Sequence, residues 1–292
     1  MAAATSDPPD LRLHVPPTMQ QVTKLARYQL REYVRSRRFI ALTLIVLAIG
    51  VILTALVAHF RGSIISTNLA FYGSFWGGGV GVVIVLAAVF FGGDAIAGEF
   101  QNKTGYFLMG LPVRRSTVYV GKFIAAFLAS LSMMLLFLAI LVGNGVYYFG
   151  SNVLPWQLGL SLLIAIVYLS AVLGATFLFS SLFKTSAYGF VLTAILFLFG
   201  FTILEDVITA LVKIEPWMII SYASSTIGGV FSPTVNWGIT GTVTRVTTGM
   251  GRFMVTTTTY TAGVAEGIVI MIAYLIVTAA AGLGLFEREE FA

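Results

Sequence analysis

The sequence predicts an all-α membrane protein with six transmembrane helices, and three observations carry that prediction. Of its 292 residues, 58% are apolar and only 10% are charged, too little polar surface for a soluble chain of this length. The apolar residues fall in long continuous runs without alternation. Lipid accepts only helices or closed barrels, because every backbone N–H and C=O must find a partner there, and barrel strands alternate in polarity. Finally, basic residues gather on every second connection between the runs, the charge bias of multi-span helical proteins.

Taken in order, residues 1–18 are polar, with Asp7-Pro8-Pro9-Asp10 and Pro16-Pro17 opposing helix, and read as a cytoplasmic tail without a fold of its own. They carry no cleavable signal pattern, since the basic stretch that follows leads into a run too long for a signal core. Over residues 19–38, Val22, Leu25, Ala26, Leu30, Tyr33 and Val34 recur every three or four positions, while Lys24, Arg27, Arg31, Arg35 and Arg38 recur on another face. This predicts an amphipathic elbow helix lying in the inner interface, with membrane lipid as a partner, that turns into the first span near Arg37-Arg38-Phe39. A hydrocarbon core of roughly 30 Å takes about 20 helical residues. Runs 39–59, 118–142, 158–183, 187–204 and 264–286 meet that length. A sixth, 76–93, is marginal and rich in glycine, and Gly77, Gly79 and Gly81 are expected to let neighbouring helices approach closely. The six-span domain thus covers 39–286, with a polar tail at 287–292.

Charge sets the orientation. Thirteen of the 17 basic residues share one face: Arg12, Lys24, Arg27, Arg31, Arg35, Arg37 and Arg38 before span 1, Lys103, Arg114, Arg115 and Lys122 around the connection after span 2, Lys184 after span 4 and Arg288 after span 6. Both termini are therefore expected to be cytoplasmic. The surplus of Lys and Arg reads as topology, and no nucleic-acid partner is expected. All four tryptophans fall on the opposite side, where Trp76 and Trp156 suit an interfacial belt.

Two connections stand out. Residues 94–117 hold both charge signs against one membrane face. Asp94 and Glu99 suit a helix start, and Glu99 with Lys103 forms an i, i+4 pair in its favourable order. Gly105 and Gly110 punctuate the segment, Pro112 restarts the chain, and Arg114 and Arg115 are placed to meet acidic groups or anionic headgroups. A helix–turn–helix elbow docking into a protein groove fits this pattern. On the other side, residues 205–262 are too long for a plain loop. Their first half, 207–220, is expected to dip into the membrane as a short helix broken at Pro216. The threonine-rich run at 240–261 has strand-prone residues and glycine punctuation, as in a small hairpin.

Chemistry of its own is not expected. A phosphate-cradling Gly-x-x-x-x-Gly-Lys-Ser/Thr is absent: Gly121-Lys122 has Ser116 upstream where glycine is required and Phe123 after it. Cysteine is absent, the two histidines are His14 and His59, and no serine or carboxylate is paired with a base inside a span. Asn144 and Glu266, the most polar groups near span ends, are expected at the outer interface.

The order of the elbow at Met19–Arg38, the Gly98-Glu99-Phe100 to Lys103-Thr104-Gly105 segment, Leu111-Pro112-Val113-Arg114-Arg115 with Gly121-Lys122, and Phe286-Glu287-Arg288-Glu289-Glu290-Phe291 after span 6 resembles the membrane subunit of type-2 ATP-binding-cassette exporters. The likeness runs from about residue 19 to the C-terminus. It implies that the connection after span 2 is a coupling helix that docks on a separate ATPase subunit, which binds the ATP and Mg, leaving this chain without cofactor or enzymatic activity. It also implies a second permease copy or paralogue. Carried over, Glu99, Phe100, Lys103, Thr104 and Gly105 lie at or beside the docking surface, and Pro112, Arg114 and Arg115 shape the return to span 3. Short re-entrant helices between spans 5 and 6 in that family match 207–220, whereas 235–262 is longer and richer in threonine than a minimal member needs. The expected role is a prokaryotic cell-membrane exporter permease for an amphiphilic, lipid-like, peptide or drug-like cargo. Its rival is an ion-coupled secondary transporter or channel acting without an ATPase, which calls for ionisable or broken-helix sites at mid-membrane.

Overall fold

The computed structural model describes residues 17–59, 67–101, 113–150, 154–183, 185–250 and 253–288, with the backbone alone over 245–250 and 253–258. Among them are six helices long and apolar enough to cross a membrane: span 1 (Arg37–His59), span 2 (Asn68–Gln101), span 3 (Arg115–Phe149), span 4 (Gln157–Leu182), span 5 (Ser186–Val212) and span 6 (Val264–Arg288). The architecture is all-α apart from one hairpin. Spans 2 and 4 form the middle of the bundle, with 72% and 61% of their most apolar windows buried, against 22% for span 1 and 17% each for spans 5 and 6. Spans 1, 5 and 6 thus present most of their apolar surface outward, as helices facing lipid do.

The elbow helix (Thr18–Arg35) stops at Ser36, whose backbone is extended with ψ 149°. Its Oγ donates to Tyr33 O at 2.6 Å and accepts the backbone N–H of Phe39 at 3.2 Å, so one serine closes the elbow and opens span 1. The apolar stripe that predicted this helix faces protein except at Val34, which is exposed. Leu25, Val22 and Ala26 lie on Gly121 of span 3, where a Cβ would stand 3.0 Å from Leu25 Cβ. The Tyr33 hydroxyl donates to Phe91 O of span 2 at 2.9 Å. Lys24, Arg27, Arg31 and Arg35 stand on the exposed side.

Span 2 is longer than the run 76–93. It starts at Asn68, capped by Thr67 Oγ1 accepting from Ala70 N at 3.2 Å, and passes through a π-helical stretch at Tyr72–Gly77. Its first turns carry polar and aromatic residues that lower hydropathy, but Phe71, Tyr72 and Trp76 are buried. Trp76 therefore does not belong to an interfacial belt. It is fully buried, its Nε1–H donates to Ser161 Oγ at 2.9 Å, and its ring lies 6.1 Å from Phe137. Trp156, Trp217 and Trp237 are the exposed tryptophans. Of the three glycines expected to admit neighbours, Gly77 meets the backbone of Gly228, Gly79 meets the Phe137 ring at 3.0 Å, and Gly81 meets nothing within 4 Å.

Beyond span 5 the short broken helix expected at 207–220 is displaced. Residues through Val212 extend span 5, because they are apolar enough to continue it. The break is at Lys213, held in the left-handed region at φ 56°. Pro216 sits in the link that follows, accepting from Ile219 N at 2.9 Å. The short helix is Ile220–Gly229, built from serine and glycine and packed on spans 2, 4 and 6. The predicted hairpin is present as strands β1 (Thr242–Met250) and β2 (Phe253–Thr261), antiparallel and in register from Thr242↔Thr261 to Met250↔Phe253. The elbow and both ends flanking the connection after span 2 lie at one end of the bundle, here the basic end. The short helix and strands mark the hairpin end.

Two buried hydroxyls, Tyr119 Oη and Ser130 Oγ on span 3, have no hydrogen-bond partner among the described residues. An unsatisfied buried hydroxyl costs about 1–3 kcal/mol. Tyr119→Phe removes it without changing the ring's packing on Phe177, 5.4 Å away. The variant is expected to melt at or above the wild-type temperature in detergent; a clear drop would show that the hydroxyl has a partner.

Candidate functional site

At the basic end, span 2 leaves regular helix after Gly92, makes a turn over residues 93–96 and resumes for one helical turn at Ala97–Gln101. A turn in this position strands backbone groups inside the bundle, and the neighbouring spans satisfy them. Ser180 Oγ of span 4 accepts from Ile96 N at 3.0 Å and Ala97 N at 3.1 Å. Lys122 of span 3, 5% exposed, donates from Nζ to Ala95 O at 2.7 Å and pairs with the Glu99 carboxylate. Arg38 at the start of span 1 pairs with Asp94. Gln101 Oε1 accepts from Ser186 N at 3.0 Å and Ser186 Oγ at 2.5 Å, and so serves the first turn of span 5. The Phe100 ring meets Phe286 of span 6 edge-on at 6.5 Å. Residues 94–101 of span 2 are thereby tied to each of the other five spans.

Electrostatics keeps this junction closed. A lysine two turns inside a spanning helix needs a partner at hand, and Lys122 has both a carbonyl and a carboxylate. Tyr33, packed 5.4 Å from the Phe91 ring, has its pKa raised far above the ordinary phenol value by burial first and by the Asp94 and Glu32 carboxylates next. It stays protonated and remains a donor to Phe91 O.

The sequence-predicted residues divide between the inside and the surface. Glu99 and Phe100 turn into the bundle as anchors. Arg114 is exposed in the extended residue before span 3, and Arg115 is half-buried with its guanidinium donating to Glu287 O at 3.0 Å. Lys103, Thr104, Gly105 and Pro112 lie outside the described residues, and with them the expected Glu99–Lys103 pair. Sequence reasoning missed Lys122, Ser180 and Gln101 as the ties of this segment. Only Lys122 left a signal, a cation within an apolar run that calls for a carboxylate partner.

The other end of span 2 is held as closely. Gly77 lies against Gly228 of the short helix. Ser161 Oγ takes the Trp76 N–H and donates to Ile227 O at 2.5 Å, joining spans 2 and 4 to that helix. The Tyr72 ring stacks on Phe231 at 6.2 Å. Nearby, the Glu215 carboxylate accepts from the Tyr222 hydroxyl and from Gly241 N at 2.8 Å, fastening the hairpin's base to the short helix. Burial, then the bond to Glu215, raises the Tyr222 pKa. Glu266 accepts from Gly263 N at 3.1 Å and caps span 6, while Asn144 ties span 3 to Thr54 of span 1 at 2.9 Å.

Ser180→Ala tests the junction directly. Two buried backbone N–H groups lose their acceptor, at about 1–3 kcal/mol each. The expected result is a lowered melting temperature, together with faster proteolysis after residue 101. Wild-type behaviour in both would show that water or another group replaces the hydroxyl.

Residues 23–291 match the family model described as ABC-2 family transporter protein. No curated protein matches the chain.

Proposed function

The chain belongs to the ABC-2 transporter family, as a multi-pass membrane permease subunit of an ABC transporter, and from that premise we propose that it couples ATP hydrolysis by a separate ATPase subunit to export. The observation that carries this reading is the junction at residues 94–101, where one short segment is tied to all five other spans. A partner that pushes on the connection after span 2 acts on a piece of chain to which the whole bundle is fastened. In this reading Lys103, Thr104 and Gly105 meet the ATPase, with Pro112, Arg114 and Arg115 shaping the return. Glu99 and Phe100, beside that surface, carry the load inward.

Span 2 then acts as the rod. Its basic end is the junction, and its hairpin end is fixed on the short helix through Gly77 and Trp76. ATP and Mg reside on the ATPase, and the motion comes from different contacts in its nucleotide states. The concentration of basic residues supports a cytoplasmic position for the basic end and both termini, and the membrane in this reading is that of a prokaryotic cell. A second permease copy or paralogue completes the unit. The scarcity of charge within the spans favours an amphiphilic, lipid-like, peptide or drug-like cargo over a small ion.

Co-expression with a candidate ATP-binding-cassette ATPase subunit tests the proposal. Wild type is expected to retain the ATPase through purification, and Lys103→Glu combined with Arg114→Glu is expected to lose it. A chain that purifies alone and moves solute in vesicles without ATP would replace this reading with an ion-coupled transporter or channel.

A further inference from the structure

Spans 3 and 6 leave a groove between them that protein side chains do not fill. On span 6, Thr278 turns towards span 4, where a Cβ on Gly174 would stand 2.6 Å from Thr278 Oγ1. Gly282 sits against both neighbours, where its Cβ would stand 3.1 Å from Leu178 Cα of span 4 and 2.6 Å from Tyr119 Oη of span 3. That orientation leaves the small side chains of Ala279 and Ala280 facing span 3. On span 3, the rings of Tyr119 and Phe123 are drawn towards span 4, meeting the Phe177 ring edge-on at 5.4 and 5.2 Å. The result is a cavity of 240 Å³ bounded by Tyr119, Val120 and Phe123 on one side and Leu275, Ala280 and Leu283 on the other. Val120 and Ala280 are exposed, so the cavity opens sideways towards the bilayer.

We propose that this groove binds one anionic phospholipid of the surrounding membrane, with an acyl chain in the groove and the phosphate on Arg114 and Arg288. The length fits: Leu275 to Leu283 spans about 12 Å at 1.5 Å per residue, most of a single leaflet, which is about half of a 30 Å core. The chemistry fits as well, because the walls are hydrocarbon and the one polar group among them, the Tyr119 hydroxyl, is buried.

The rim supplies the headgroup selectivity. The bond from Arg115 to Glu287 O sets the start of span 3 and the end of span 6 at one level. Arg114 and Arg288 are exposed there, about a turn beyond Tyr119 and Leu283, and make no ion pair among the described residues. Glu287, next to Arg288 in the chain and also exposed, is the nearest carboxylate in sequence among the described residues, and its backbone oxygen already holds Arg115. The cations stand beside the N-terminus of span 3, whose backbone N–H groups add to the attraction for a phosphate. A neutral headgroup gains none of this.

Occupancy has a route to the junction. Tyr119 lies 6.2 Å from the Phe286 ring, which in turn lies 6.5 Å from Phe100. A chain seated against Tyr119 therefore buttresses the segment at residues 94–101. That consequence rests on the proposed coupling, but the lipid site does not, and it can be tested on the permease alone.

The test reconstitutes the purified chain in phosphatidylcholine vesicles containing a minor fraction of phosphatidylglycerol with a diazirine on one chain, and in parallel vesicles with the diazirine on phosphatidylcholine. After illumination, adducts are mapped by peptide mass spectrometry. Adducts at 119–123 and 275–283 are expected to be several-fold more abundant from phosphatidylglycerol. Ala280→Phe should abolish them, whereas Ile276→Phe, at an exposed position outside the groove lining, should not. Arg114→Gln with Arg288→Gln should make the two lipids label equally. Equal labelling by both lipids in the wild type would overturn the proposal without recourse to any variant. So would adducts unchanged by Ala280→Phe. ATP-driven transport that fails while the selective labelling persists would count against the coupling reading alone.

Discussion

Lys122→Met is expected to destabilise the chain by about 3 kcal/mol, the low end of the range for stranding one partner of a buried ion pair. The low end applies because the Glu99 side chain retains 16% exposure against 6% for Lys122. The substitution keeps the length and apolar stem of the lysine but leaves Glu99 without that cation and Ala95 O without its 2.7 Å donor. Glu99→Gln is expected to cost less, since an amide still accepts from Lys122. Glu99→Gln added to Lys122→Met should recover part of the loss by removing the stranded charge, a non-additivity that a double-mutant cycle detects. Thermal unfolding in detergent gives the order, and vesicle transport with the ATPase present gives the functional side. On the proposed coupling, transport should fall further than ATPase retention, because the residues proposed to dock follow the anchor in the chain. If Lys122→Met melts with the wild type, the pair does not hold the junction.

Gly77→Val is expected to have the largest effect at the hairpin end. A Cβ at position 77 falls onto the backbone of Gly228, with Gly228 N at 3.2 Å and its carbonyl carbon at 3.7 Å. Backbone cannot rotate aside as a side chain can. The short helix must move off span 2, at about 1–3 kcal/mol or more for a strained overpacked contact. Displacement also pulls Ile227 O from Ser161, which holds the Trp76 indole. In vesicles the signature expected from the proposed coupling is intact ATPase association with transport lost, since span 2 is released only at the end away from the proposed docking segment. Gly81→Ala is the control on the same helix. It meets nothing within 4 Å, and replacing a helical glycine by alanine should stabilise by up to about 1 kcal/mol. Equal melting temperatures for Gly77→Val and Gly81→Ala would rule out a tight contact at Gly77.

How much of this was legible beforehand varied with the kind of force involved. Spans 1, 4 and 6 appear within two residues of their apolar runs, because the thickness of the bilayer imposes a length that hydropathy records directly. The elbow followed from its 3.6-residue period and the hairpin from its threonine, valine and glycine, both local properties. The first turns of span 2 were missed because Asn68, Tyr72 and Ser74 look polar to a window. Burial against the short helix and span 3 makes that stretch core. The short helix itself was expected at 207–220 and lies at Ile220–Gly229. Its serines and glycines have weak helix propensity, and packing between spans 2, 4 and 6 outweighs it.

The sequence by itself determined that this is a six-span α-helical membrane protein with a basic elbow, a short polar connection after span 2 and a long one before span 6. Each of those features is set by the solvent a segment must meet or by a repeat within it. The tertiary structure alone decided that Glu99 pairs with Lys122, that Ser180 and Gln101 complete the junction, that Gly77 and not Gly81 admits a neighbour, and that a groove stays open between spans 3 and 6. Those contacts join residues 23 to more than 150 positions apart along the chain. Their energy depends on which helix faces turn towards one another, and no local pattern of residue types contains that rotation.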